Sequence, residues 1–181
     1  RLTAPAITRV KNDANGVKVE FNAVKGATGY YVYQKTGKSS WVRVGTTTKT
    51  SFVDMNVKAG ASYIYTVKAY KGSYMSDYVA TTTPLIYVPA PAVNTPINTS
   101  NGIKITWQEV PMAETYYVGR RDVGGTWKTI KTISKSEVKK DSYGQIYYVD
   151  TTAVEGKTYN YSVRAYAKGT SSGYSENRFG T

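Results

Sequence analysis

The chain has 181 residues, with 24 basic side chains against 12 acidic ones (net +12), and contains neither Cys nor His. The absence of both residues excludes the common zinc sites, Ser/His and Cys/His dyads, and histidine acid–base chemistry. A hydrophobic content of 40% excludes a disordered chain, and the abundance of Val, Ile, Thr and Tyr points to an all-β fold.

At the start of the chain, Arg1-Leu2-Thr3-Ala4-Pro5 lacks signal-peptide form and reads as the first strand of a module, so a longer parent polypeptide is expected. Asn15-Gly16 is a turn dipeptide, and after it Val17, Val19 and Phe21 alternate with Lys18 and Glu20. That period of two marks a strand with one face buried. In the next strand Tyr30 and Val32 are expected to point inward, leaving Tyr31, Tyr33 and Lys35 outside. By the same alternation Trp41 and Arg43 point out while Val42 and Val44 point in. Asp54 precedes a turn and suits an Asx-turn. Tyr63, Tyr65, Val67 and Ala69 then alternate with Ile64, Thr66, Lys68 and Tyr70. Pro84, Pro89 and Pro91 mark a short connector over about 84–91, since proline withholds a ladder donor and fixes φ. No apolar run approaches the roughly 20 residues of a membrane helix.

The rest of the chain repeats the first part. Asn101-Gly102-Ile103-Lys104-Ile105-Thr106-Trp107 follows the Asn15–Phe21 segment at a distance of 86 residues, and Tyr116-Tyr117-Val118 and Trp127 keep that spacing from Tyr30 and Trp41. Further on the spacing is 96: Val149-Asp150 matches Val53-Asp54, and Tyr159–Tyr166 matches Tyr63–Tyr70. The second copy therefore carries about ten extra residues between Lys131 and Tyr147. Two modules are expected, 1–84 and 85–181, each an antiparallel β-sandwich.

Three features resemble fibronectin type III domains: the aromatic at Phe21 and Trp107, the turn-Gly-Tyr runs Ala59-Gly60-Ala61-Ser62-Tyr63 and Glu155-Gly156-Lys157-Thr158-Tyr159, and the Tyr-x-Val runs followed by Trp. The last of these, at Tyr30 and Tyr116, resembles the version common in large extracellular bacterial proteins. The resemblance implies two tandem immunoglobulin-like sandwiches, with Phe21 and Trp107 at the end of the second strand and Tyr63 and Tyr159 as corner residues bonded to backbone. It further implies an extracellular or cell-surface bacterial location.

For function, the outward residues form a candidate contact surface of Tyr31, Tyr33, Trp41, Arg43, Lys68 and Tyr70, echoed by Tyr117, Arg121, Trp127, Arg164 and Tyr166. Flat rings and Arg suit sugar or protein contact. The same set equally suits a cross-strand aromatic and cation–π ladder that stiffens a disulfide-free sheet, and its repetition in both copies favours this structural role. The insertion at Ser134–Gly144 is a loop candidate for recognition, although neutral insertion is favoured. Asp54 and Asp150 have no second carboxylate beside them, so neither a glycosidase pair nor a Ca²⁺ loop is expected. The basic excess suits anionic partners, but Lys and Arg are dispersed, which argues against nucleic acid. The leading expectation is a non-catalytic spacer or scaffold pair in a secreted or surface protein, with neighbouring domains of the same polypeptide as partners. The alternative is a module that binds glycan, cell-wall polymer or a protein ligand through the outer aromatics. No cofactor, metal or membrane insertion is expected.

Overall fold

The structure is a computed structural model that describes residues 1–175 and 178–180. It divides into two compact units, Arg1–Tyr87 and Val88–Thr181. Among the described residues no helix is long and apolar enough to cross a membrane.

In the first unit, apolar–polar alternation builds β1 (Ile7–Asp13), β2 (Gly16–Phe21), β3 (Gly29–Lys35), β4 (Val42–Thr47), β5 (Ser51–Asp54), β6 (Ser62–Lys71), β7 (Tyr74–Met75) and β8 (Leu85–Ile86). One sheet has the order β1-β2-β5; the other runs β4-β3-β6, with β7 and β8 both pairing with β6. Inward residues of the two sheets meet in a core that includes Val17, Val19, Phe21, Val32, Tyr65 and Val67. Each such burial contributes about 1.5–3 kcal/mol relative to exposure. The final strand is broken. β7 pairs at Tyr70–Lys71 and β8 at Ser62–Tyr63. Between them the Ser76 and Thr81 hydroxyls accept from the backbone N–H groups of Ala69 and Tyr65, at 2.9 Å each.

The second unit repeats the plan with β9 (Ile97–Thr99), β10 (Gly102–Trp107), β11 (Thr115–Asp122), β12 (Lys128–Ser134), β13 (Lys139–Lys140), β14 (Ile146–Asp150), β15 (Tyr159–Ala167), β16 (Thr170–Ser171) and β17 (Arg178–Gly180). Its sheets are β13-β14-β10-β9 and β12-β11-β15, with β16 and β17 both on β15. Ile103 pairs with Asp150 and Trp107 with Ile146, and Trp107 is fully buried. At Gly102 φ is 137°, and a Cβ there would lie 2.2 Å from the Asp150 carbonyl oxygen, so this close crossing admits only glycine.

Three details depart from the sequence reading. The first strand begins at Ile7 rather than in Arg1–Pro5. In the chain before it, the Ala6 carbonyl accepts from Asn22 N–H. Val42 is not a core residue: it is 55% exposed, whereas Val44 packs on the core. By register Val42 lies opposite the inward Gln34, so its exposure comes from its place at the very start of an edge strand and not from the face it is on. A bulge follows it: β4 pairs Arg43 with Tyr33 but Gly45 with Val32, which leaves Val44 without a cross-strand partner and breaks the period of two. Finally, the units divide after Tyr87 rather than after Pro84. Leu85–Ile86 pairs with Ser62–Tyr63, and the Tyr87 carbonyl accepts from Gly60 N–H, so the front of the expected connector is part of the first sandwich.

Candidate functional site

The expected contact surface lies on the outer face of β4-β3-β6. β3 alternates strictly: Tyr30, Val32 and Gln34 are buried, while Tyr31, Tyr33 and Lys35 are half-buried on the other face. Tyr31 stacks on Tyr70 with centroids 4.5 Å apart and 19° between planes, and the Arg43 guanidinium lies 4.9 Å from the Tyr31 ring centre. Nearby, Trp41 meets Tyr78 edge-on at 6.0 Å; Lys35 lies over Trp41 at 5.0 Å and Lys68 over Tyr78 at 5.2 Å. Tyr33 pairs with Arg43 and Thr66 across the neighbouring strands.

The second unit builds the same device with arginine. Arg121 lies over Trp127 at 4.8 Å, Trp127 stacks on Tyr174 at 5.8 Å and 21°, and Arg164 lies over Tyr174 at 4.5 Å and over Tyr117 at 5.8 Å. Tyr166 meets Tyr117 edge-on at 6.4 Å. Two members, Tyr78 and Tyr174, are absent from the sequence reading. They lie in stretches outside any regular strand, where alternation gives no signal. Yet Ser76 and Tyr78 stand 96 residues before Ser172 and Tyr174, the spacing that already joined the second halves of the two copies. In both units most of these rings carry a cation or a second ring on a face, which leaves little flat apolar surface for a sugar.

Beneath the sheets lies a second repeated arrangement. Asp54 and Asp150 are 1% and 0% exposed. Each closes an Asx-turn, accepting from Asn56 N–H and Thr152 N–H at 3.0 Å. Each also accepts a buried tyrosine hydroxyl, from Tyr65 at 2.9 Å and from Tyr161 at 2.8 Å. The copies differ in the residue of β3 and β11 that reaches toward this point. Gln34 donates to the Asn56 carbonyl at 3.0 Å, whereas Arg120 donates to Asp150 at 2.8 Å and lies 4.6 Å from the Tyr159 ring centre. Burial therefore raises the Asp54 carboxyl above its ordinary value, with the Tyr65 and Asn56 hydrogen bonds offsetting only part of it. For Asp150, burial also acts upward, but the hydrogen bonds from Thr152, Tyr161 and Arg120 outweigh it and hold the carboxyl below the usual value. Above these turns Tyr63 and Tyr159 are buried, and their hydroxyls accept from Lys58 N–H at 2.8 Å and Val154 N–H at 3.1 Å.

The insertion is ordered. Lys135–Glu137 forms a 3-10 turn whose Glu137 carboxylate accepts from Ser134 N–H at 3.1 Å. Lys139–Lys140 adds β13 to β14, and Asp141 accepts from Tyr143 N–H and Gln145 N–H. The insertion borders a groove of about 510 Å³ lined by Lys131, Ile133, Lys139, Tyr147 and Tyr148 among others. No cluster of three metal-ligating side chains occurs among the described residues.

No family model matches the chain. Three curated bacterial proteins are similar to it. They are an alpha-amylase of Niallia circulans (29% identity over 138 residues, 74% of this chain), an exoglucanase B of Cellulomonas fimi (26% over 147 residues, 76%), and an amylopullulanase of Thermoanaerobacterium thermosulfurigenes (34% over 99 residues, 51%). The chain spans only 9%, 12% and 5% of their respective lengths. Among solved structures, the chicken interferon gamma receptor alpha chain aligns over 99% of this chain and 98% of its own, with 18% identity and a TM-score of 0.52. A two-domain fibronectin type III segment of chicken tenascin aligns over 99% and 97%, with 18% identity and a TM-score of 0.38. The chain has the fold of two tandem fibronectin type III domains.

Proposed function

We propose that this chain is a non-catalytic spacer or scaffold pair within a secreted or surface-bound bacterial protein that acts on polysaccharide. The observation that carries the reading is the pattern of similarity. Three enzymes named for amylose-type and glucan substrates share this sequence over at most 12% of their length. A short segment common to otherwise distinct enzymes suits an accessory module, not the part that performs each reaction. The chemistry of the chain supports this, since it has no His and no Cys, and each of its two buried aspartates is bonded to tyrosine and backbone of its own unit.

The adhesive alternative, sugar stacking on the outer rings, is disfavoured by the cations that occupy ring faces at Trp41, Tyr31 and Trp127. Two measurements test the reading. Incubation of the chain with soluble starch, carboxymethylcellulose and pullulan should release no reducing ends, and reproducible turnover would overturn it. Co-sedimentation with insoluble starch and microcrystalline cellulose should leave the chain in the supernatant. Retention that is lost on Trp41→Ala and Trp127→Ala would establish the adhesive alternative instead.

A further inference from the structure

The charge of the first unit is distributed unequally between its two sheets. Residues 29–47 and 62–75, which hold β3, β4, β6 and β7, contain Lys35, Lys38, Arg43, Lys68 and Lys71 and no Asp or Glu. Asp13, Glu20 and Asp54 all belong to the opposite sheet, and Asp77 pairs with Arg1 at 2.6 Å. The other ion pair described in this unit, Lys18–Glu20 at 3.2 Å, also lies on the opposite sheet. Among the described residues, Lys35, Arg43 and Lys68 thus meet no carboxylate. Their contacts are the ring faces of Trp41, Tyr31 and Tyr78. A ring beneath a cation fixes its position without cancelling its charge, so the entropy cost of ordering long side chains is largely met before any ligand arrives. A guanidinium lying on a ring also keeps its N–H fork free in the plane, the geometry that accepts a carboxylate in two parallel hydrogen bonds. The second unit lacks this separation, because Asp122 ends β11 on the corresponding sheet.

We infer that the β4-β3-β6 face of the first unit binds a linear carboxylated polysaccharide through Lys35, Arg43 and Lys68. Charge complementarity requires a polyanion. Single-stranded nucleic acid needs open aromatic platforms for its bases, and here the ring faces carry cations. The polysaccharide similarity of the relatives favours a sugar polymer over a phosphate polymer. The inference goes beyond the spacer reading and stands whether or not the chain separates other domains.

The test is native affinity electrophoresis of the whole chain toward the cathode, through gels containing polygalacturonate. Polyphosphate and oligodeoxythymidylate at matched charge concentration, and neutral amylose at matched sugar concentration, serve in parallel gels. Polygalacturonate should retard the chain at low salt, with affinity falling at least tenfold between about 20 and 150 mM NaCl, as counterion release requires. The triple variant Lys35→Gln/Arg43→Gln/Lys68→Gln should bind at least tenfold more weakly. Arg9→Gln/Lys11→Gln/Lys18→Gln removes the same charge from the opposite sheet and should lose less than threefold. Because the first triple also removes ring contacts, Lys38→Gln/Lys71→Gln, which leaves those contacts in place, should still weaken binding two- to fivefold. Equal losses in the two triples would overturn the inference in favour of diffuse attraction by net charge, and so would absence of retardation at low salt. Stronger retardation by amylose, polyphosphate or oligodeoxythymidylate than by polygalacturonate would overturn the assigned ligand class.

Discussion

At the scale of single residues, one hydroxyl or one exchanged side chain sets much of the local energetics. The Tyr63 and Tyr159 hydroxyls each satisfy a backbone N–H beside a glycine with φ near 80°, Gly60 or Gly156, where the chain turns between sheets. Tyr63→Phe or Tyr159→Phe keeps the ring and strands that N–H, so each should cost about 1–2 kcal/mol in urea unfolding. A cost near zero would mean that the hydroxyl is dispensable. The Gln34/Arg120 exchange carries a pH signature. Asp150 is held below its ordinary value of 3.8, so it contributes stability that is complete above pH 3.8 and is lost as the pH falls through its folded pKa. Asp54 is raised, so ionising it subtracts stability at neutral pH, and that cost is relieved as the pH falls toward 3.8. Arg120→Gln should therefore destabilise the second unit by about 1–3 kcal/mol at neutral pH, and by progressively less in acid as the pH falls through the folded pKa and the carboxyl takes up its proton. Equal losses at neutral pH and in acid would contradict the ion-pair account. These pairings were only half legible in the sequence. The Asx-turn type of Asp54 and Asp150 follows from residue identity and position. That a tyrosine eleven residues on donates to each from within the core depends on how the two sheets face one another.

At the scale of strands, period two is a reliable guide only while the ladder stays in register. It places Tyr30 and Val32 inside and Tyr31 and Tyr33 outside in β3, because β3 sits between two partners that hold it straight. It is broken in β4, an edge strand that takes up an extra residue at Val44, and it does not tell that Val42, opposite the inward Gln34 at the start of that strand, lies in solvent. Val42→Thr should accordingly change stability by no more than about 0.5 kcal/mol, while Val44→Thr, which sets a hydroxyl against the core, should cost roughly 1–3 kcal/mol. Equal costs at both sites in thermal melts would mean that Val42 is packed as Val44 is. The insertion shows the same limit. Its position follows from the change of spacing between the copies, but the small β13 it adds has only two ladder residues, Lys139 and Lys140, and no apolar alternation to announce it.

At the scale of the whole molecule, the duplication is the most legible fact in the sequence, because two copies of one pattern test each other. What the copies share is structural in kind: the strand-two aromatic, the corner tyrosine, the buried aspartate and the ring ladder. They differ in the cation chemistry of the outer sheet, in Gln34 against Arg120, and in the inserted β13. The division after Tyr87 yields a direct prediction. A fragment of residues 1–87 should unfold cooperatively, and so should 88–181, since each holds a complete core. A fragment of 1–84 lacks β8, the Tyr87 carbonyl that accepts from Gly60 N–H, and the Ile86 carbonyl that accepts from Asn12. It should melt several degrees below 1–87. Equal midpoints would place the boundary back at the proline.

The broken last strand has a consequence for a protein built from repeated modules. Each copy ends in two stubs, β7 and β8 or β16 and β17, and where the ladder is interrupted the hydroxyls of Ser76, Thr81, Ser172 and Ser175 accept from N–H groups of the adjoining strand. A long unbroken margin is a template onto which a neighbouring chain can zip, the first step toward fibrils. Stubs of two or three residues leave an incoming strand too few consecutive sites to hold. Similar copies on one polypeptide meet at concentrations that freely diffusing proteins seldom reach. An interrupted margin lets them stay separate while crowded.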